Sequence, residues 1–398
     1  MSRLAPSVLP VTTTEIAAPP LVTRALLLRF VSVVGSSIGF FLPLSVVPMF
    51  AEEAGAAGGA ALATVALLLS TVACELVTPR LIGLVGYRWS LALGLTLLGL
   101  PTIALTVSAS TWVIVAASVV RGAGFAICVV AGGAVTATLI PPQRRGEGLA
   151  LVGVVGGVPS LIALPAGVWA AAQWGYGPVF MATTVATLLA LPSVLGLPGR
   201  TGPVESAHGV VAGLRNPLLA RPAAVFAVAA VGVGVLVTFL PLAMIDQPAW
   251  VAAAALLAQS GAATAVRLVA GRLGDRHGPA RLLGPGLVLS ACGMATLALG
   301  GTPAVVVGGA LVFGIGFGVL QNATLTLMYA RGPAGSEGAV SAIWNAAYDL
   351  GMAAGALGAG LVVAAAGYPA AFALTAVVMV PALLLVRRGP APAVASRT

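Results

Sequence analysis

The chain contains no lysine, and all 19 of its basic residues are arginine. Acidic residues number only 10, and charged residues of both signs make up 7% of the 398 positions. An ordinary soluble domain carries about 25% charged residues. At 59% hydrophobic, the chain has more apolar surface than a soluble core of its size can enclose, so lipid must cover much of it. The missing lysine accompanies a richness in Ala and Gly and reads first as the codon bias of a GC-rich genome. The three cysteines, Cys74, Cys128 and Cys292, are isolated in apolar stretches. That excludes a disulfide framework and reads as small buried thiols. The two histidines, His208 and His277, are far apart and lack ligand spacing. With no Walker-type phosphate loop and no nucleophile–base pair, an enzyme, a metal site, a cofactor and ATP-driven pumping are all disfavoured. A net charge of +9 would suit nucleic acid or anionic lipid. Here the arginines stand singly or in pairs between apolar runs, so topology accounts for them, and no nucleic-acid partner is expected.

What the chain does have is an internal repeat. Gly122, Gly124 and Phe125 return as Gly314, Gly316 and Phe317, 192 positions later. Arg80, Leu81 and Gly86 return as Arg272, Leu273 and Gly278 at the same offset, and Gly175, Tyr176 and Phe180 return as Gly367, Tyr368 and Phe372. Phe41-Leu42-Pro43-Leu44 recurs as Phe239-Leu240-Pro241-Leu242 at a slightly larger offset. Two similar halves in tandem can rock against each other around a site between them.

Twelve apolar runs can be drawn, each long enough for a hydrocarbon core of about 30 Å. Their approximate bounds are 25–50, 59–80, 89–107, 111–139, 148–171, 177–197, 222–245, 249–270, 281–300, 303–329, 339–364 and 368–386. Runs of that length without strict alternation exclude a barrel wall. The class is therefore all-α integral membrane. Arg80, Arg88, Arg144, Arg145, Arg200, Arg215, Arg221, Arg272, Arg276, Arg281, Arg331, Arg387 and Arg388 all follow even-numbered runs. The odd-numbered loops carry Glu52, Glu53 and Asp246 instead. By the positive-inside rule both termini are cytoplasmic. The expected organisation is a cytoplasmic tail at 1–24, a six-helix bundle at 25–197, a cytoplasmic linker at 198–221, a second bundle at 222–386 and a cytoplasmic tail at 387–398.

The segment after the eighth run reads Gly271-Arg272-Leu273-Gly274-Asp275-Arg276-His277-Gly278. It resembles the signature G-x-L-a-D-r-x-G of the Major Facilitator Superfamily. A weaker copy, from Pro79 and Arg80 to Gly86, has Gly83 where the acid belongs. The resemblance spans essentially the whole chain. It implies twelve helices as two pseudo-symmetric six-helix bundles, working by alternating access in a bacterial inner (plasma) membrane. Arg121-Gly122-Ala123-Gly124-Phe125 is similar to the helix-4 motif of the superfamily's proton-coupled exporters. Leu164-Pro165-Ala166-Gly167 is only weakly similar to an antiporter element.

On that resemblance the gating motif comprises Gly271, Arg272, Gly274, Asp275, Arg276 and Gly278, with Arg80 and Gly86 in the other half. Arg272 and Asp275 stand three apart, close enough to act as a cytoplasmic latch. Arg121, about ten residues into its run, and Asp349, at a similar depth, are intramembrane charges and thus functional candidates by default. Asp349 shares a helical face with Asn345 and lies beside Trp344 and Tyr348. The resemblance places helices 2 and 11 at the interface of the halves, so Glu75 and Asp349 would line the moving seam. Arg121, Asp349 and Glu75 are the proton-coupling candidates. Asp246 stands out at the outer mouth of the seventh run, whereas Glu147, Glu337 and Arg267 sit at span ends, where solvation or snorkelling accounts for them. The superfamily lines its cavity with helices 1, 4, 7 and 10, which implies Phe40, Phe41, Phe125, Phe239, Phe317 and Gln321. Asn322 and Asn345 add amides. Such a lining suits an amphipathic or lipophilic compound better than a sugar. The expected partners are a small-molecule substrate, protons and the lipid bilayer, with one chain sufficing as a monomer. Proton-coupled efflux of a drug or secondary metabolite is the leading reading. An importer or facilitator of a nutrient or organic anion is an alternative, as is a non-transporting receptor or scaffold.

Overall fold

The computed structural model describes residues 22–55, 58–141, 145–197, 199, 215–333 and 337–387. The expected tails at 1–24 and 387–398, almost wholly, and most of the linker at 198–221 lie outside the described residues, as does His208; the linker's last residues, 217–221, instead begin the helix Pro217–Ala243. The side chains of Glu147 and Glu337 also lie outside the described residues.

Among the described residues the chain is helical, with no strand. The helices are α1 (Arg24–Phe41), α2 (Val46–Glu53), α3 (Gly59–Gly99), α4 (Ala104–Val107), α5 (Thr111–Leu139), α6 (Arg145–Trp174) and α7 (Tyr176–Leu195). They continue with α8 (Pro217–Ala243), α9 (Trp250–His277), α10 (Leu283–Leu299), α11 (Pro303–Arg331), α12 (Glu337–Met379) and α13 (Ala382–Arg387). Ten helical stretches are long and apolar enough to cross a membrane.

Two of those ten, at 49 and 48 residues, are too long for one crossing. At 1.5 Å per residue each would run about 70 Å if straight, more than twice the hydrocarbon core. Neither is straight. Helical geometry breaks in α3 at Gly86 (φ 80°, ψ 171°) and in α12 at Gly367 (φ 80°, ψ 175°). Gly175 and Gly278 also have positive φ, at 80° and 85°, so the echoed pairs Gly86/Gly278 and Gly175/Gly367 share a positive-φ backbone. Only glycine takes it at no steric cost. After the first break, the Tyr87 N–H donates to the Gly199 carbonyl, and Arg88 donates to the Leu197 carbonyl at 2.7 and 3.0 Å. An arginine there neutralises the exposed carbonyls at the end of α7.

The repeat also explains how each half packs. A methyl group at Gly122 of α5 would collide with the Leu67 carbonyl of α3, and one at Gly124 with the Leu98 N–H beyond the break. In the second half, Gly314 of α11 lies against Gln259 of α9, and Gly316 against Ser290 of α10. Small residues bring membrane helices to backbone contact. The echoed glycines thus clasp the same pair of neighbours in each half.

The halves meet along two seams, α3 on α12 and α6 on α9. One end of the seam is sealed. Ser45 donates its hydroxyl to the Val237 carbonyl at 2.6 Å, Thr64 and Thr238 share a hydroxyl bond at 3.1 Å, and Gly360 packs on Ala61. Helix α8 is the most interior of the long helices, with 78% of its apolar window buried. Most of the others turn a large apolar share outward, with Trp89, Trp112, Trp174 and Trp250 exposed. That is the surface of a protein solvated by lipid, with tryptophans able to lie at the interfaces.

Candidate functional site

Arg121 sits on α5 with 1% of its surface exposed. Its Nη2 donates to the Gly39 carbonyl of α1 at 3.3 Å, and its Nε is buried with no hydrogen-bond partner. One turn further along α5, Phe125 stacks on Phe40 with ring centroids 3.6 Å apart. Phe41 meets Phe40 edge-on at 5.1 Å. Three of the expected cavity aromatics and the expected cation therefore form one cluster on the α1–α5 contact.

Arg29 of α1 was not singled out from the sequence. It stands near the start of an apolar run, where snorkelling is ordinary. The structure buries it to 6% exposure on the same α1–α5 contact. Its Nε donates to Thr136 Oγ1 at 3.1 Å and its Nη1 to Ser32 Oγ at 2.7 Å. Gly132 makes room for it, since a methyl group there would collide with the guanidinium. The rule that intramembrane charges are functional candidates would have found it.

In the second half, Phe226 of α8 stacks on Trp344 of α12 at 4.3 Å, with Phe317 and Tyr348 at 5.7 and 5.8 Å. The Trp344 indole donates to Thr324 Oγ1 at 3.1 Å. Phe239 and Phe317 are buried in the same core cluster as Phe40. Gln321 has a buried side-chain oxygen with no hydrogen-bond partner. The Asn322 amide lies beside Gly271 of α9, where a methyl group would be 3.7 Å away.

Asp349 on α12 is buried, at 6% exposure, and Glu75 on α3 is half-buried. The two helices that carry these carboxylates pack against each other. They come from opposite halves, across the α3–α12 seam. Among the described residues no ion pair holds either one. Asn345, one turn before Asp349, is half-buried on the same helix. Arg267 of α9 is exposed.

The gating segment ends α9. Gly274 is buried against Pro279 and Leu282, and Gly278 turns the chain, its N–H donating to the Gly274 carbonyl at 2.8 Å. Arg272, Asp275, Arg276 and Arg80 are exposed. Among the described residues Arg272 and Asp275 make no hydrogen bond or ion pair, so the expected latch is not engaged in this arrangement. All three cysteines are free. Cys128 is buried as expected, whereas Cys292 is exposed on the outward face of α10.

The family model of the Major Facilitator Superfamily matches residues 29–250 and again 223–398, nearly the whole of both halves. The chain belongs to the Major Facilitator Superfamily. It is thus a multi-pass membrane protein of a transporter family. No curated protein matches the sequence. Solved structures with the same fold include a variant of the nucleoside transporter NupG, with 12% identity and a TM-score of 0.75, covering 92% of this chain and 99% of that one. The human organic anion transporter MFSD10 (TETRAN) has 17% identity and a TM-score of 0.66, covering 93% and 100%. A peptide transporter of the POT family bound to a thioalcohol-conjugated peptide has 11% identity and a TM-score of 0.74, covering 92% and 95%. At these identities the shared property is the fold.

Proposed function

We propose that this superfamily member is a monomeric, proton-coupled carrier that exports a small amphipathic organic compound across a bacterial plasma membrane. The observation that carries the reading is the presence of Glu75 and Asp349 on the two helices, α3 and α12, that pack together between the halves. A carboxylate on each side of a seam between two moving bodies offers a group that can bind and release a proton as the cycle changes its surroundings. A pair divided between two moving bodies changes its separation as they rock, and its hold on that proton changes with it. That couples proton binding to alternating access.

The breaks at Gly86 and Gly367 turn ten apolar stretches into twelve crossings, with both termini on the arginine-rich, cytoplasmic side. The Ser45–Val237 and Thr64–Thr238 bonds then seal the extracytoplasmic end. The disengaged Arg272 and Asp275 accompany an arrangement open to the cytoplasm, and the latch forms in the opposite state. The aromatic clusters around Phe40 and Phe226 favour an apolar cargo body.

A second reading is a carrier for a more polar cargo. It is favoured by the nucleoside and peptide transporters among the structural neighbours and by the unpartnered Gln321 oxygen. One experiment separates the two. Inverted vesicles holding an imposed pH gradient are given a panel of lipophilic compounds, nucleosides and dipeptides, and proton release is followed with a pH-sensitive dye. Release driven by lipophilic compounds, and lost in Asp349→Asn, supports the first reading. Release confined to polar cargo supports the second. Compound flux without proton release overturns proton coupling.

A further inference from the structure

We propose that the cargo is an organic anion and that Arg121 is the group that receives its negative charge. The inference rests on the carrier reading and narrows its substrate class.

The argument begins with charge accounting. A guanidinium stays charged in a protein, and a buried one needs compensation. Arg121 has a single hydrogen bond of 3.3 Å, to a neutral carbonyl, and a buried Nε with none. Arg29, ten residues from Gly39 along α1, bonds only to hydroxyls. Neither has a carboxylate partner among the described residues. The buried Asp349 and the half-buried Glu75 stand on another contact, that of α3 with α12. The α1–α5 contact therefore carries two buried positive charges and no negative one.

The surroundings specify the rest of the ligand. Phe125 lies one turn from Arg121, and Phe40 directly follows Gly39, the residue that Arg121 bonds. Their stacked rings offer an apolar wall beside the unpartnered donor. A planar guanidinium fork matches a carboxylate or sulfonate head, and the wall matches an aromatic or aliphatic body.

The test uses the full-length chain in lipid nanodiscs and pairs of compounds differing only in charge. The pairs are 1-naphthoate with 1-naphthamide and 4-phenylbutanoate with 4-phenylbutanamide, with acetate as a head lacking a body. Titration calorimetry reads the affinities. The expected result is that each acid binds at least tenfold more tightly than its amide, and that acetate binds much more weakly. Arg121→Gln removes the difference between acid and amide, and Arg121→Lys restores part of it. Equal affinities, no binding of any acid, or an acid preference that survives in folded Arg121→Gln overturns the proposal. Should Arg121→Gln not fold, the acid-to-amide ratio of the unaltered chain decides. Proton release in proteoliposomes separates this inference from the reading beneath it. Release driven equally by acids and amides overturns the anion inference alone. An acid preference without any release overturns proton coupling alone.

Discussion

Thr64 of the first half and Thr238 of the second share a buried hydroxyl–hydroxyl hydrogen bond of 3.1 Å. With the Ser45 bond to the Val237 carbonyl, it is the polar part of the seal that closes one end of the seam. A buried hydrogen bond contributes about 1 kcal/mol net, which corresponds to a shift of about fivefold between two states. Thr238→Val is therefore expected to raise the population open at this end by about that factor. Labelling of a cysteine placed at Ala61, beneath Gly360, measures it. Unchanged labelling would show that the bond does not govern opening.

Asp349→Asn and Glu75→Gln are each expected to abolish compound-driven proton release while the protein remains folded. On the proposed coupling the two act as one unit, so the double variant is expected to be no worse than either single one. Proton release in vesicles, compared across the three variants, checks the claim. Additive losses would mean two independent sites.

The echoed glycines make a stability prediction. Gly122→Ala and Gly314→Ala each force a methyl group onto a neighbouring helix backbone, and overpacking of that kind costs about 1–3 kcal/mol. Gly133 of α5 has open space around it, so Gly133→Ala is expected to be neutral or mildly stabilising through helix propensity. Thermal unfolding in detergent ranks the three.

Asp275 is exposed and unpaired here, so Asp275→Asn is expected to alter stability by less than about 0.5 kcal/mol. A latch that forms in the opposite state would still slow transport when lost. Loss of rate with an unchanged melting temperature is the expected signature. A lower melting temperature would instead show that Asp275 supports the fold in this arrangement.

Much of the architecture was legible because the membrane imposes long apolar runs and the repeat exposes the two halves. The glycine echo read from the sequence corresponds to helix contacts. Boundaries were less legible. The first run, drawn as 25–50, is two helices interrupted over 42–45, where Pro43 lacks the N–H a continuous helix needs. In the equivalent stretch of the second half, Pro241 stays inside α8, where the Val237 carbonyl that its missing N–H leaves free accepts from Ser45 instead. The segment between Arg80 and Arg88, expected as a loop, is helical up to Gly86. Arg29 escaped notice because what buries it is Thr136, 107 positions away. The engagement of the latch is a property of one state of a moving molecule, and a motif does not say which state is populated.

The most direct test of proton-coupled alternating access is a pair of spin-label distances in nanodiscs. One pair, at Val154 and Leu268, spans the halves at the arginine-rich end, and the other, at Val107 and Ile245, spans them at the opposite end. All four positions are exposed. As cargo is added and the pH is varied, the first distance is expected to shorten as the second lengthens, and Asp349→Asn is expected to remove the pH dependence. Distances that change together, or that respond to pH equally in Asp349→Asn, would contradict it.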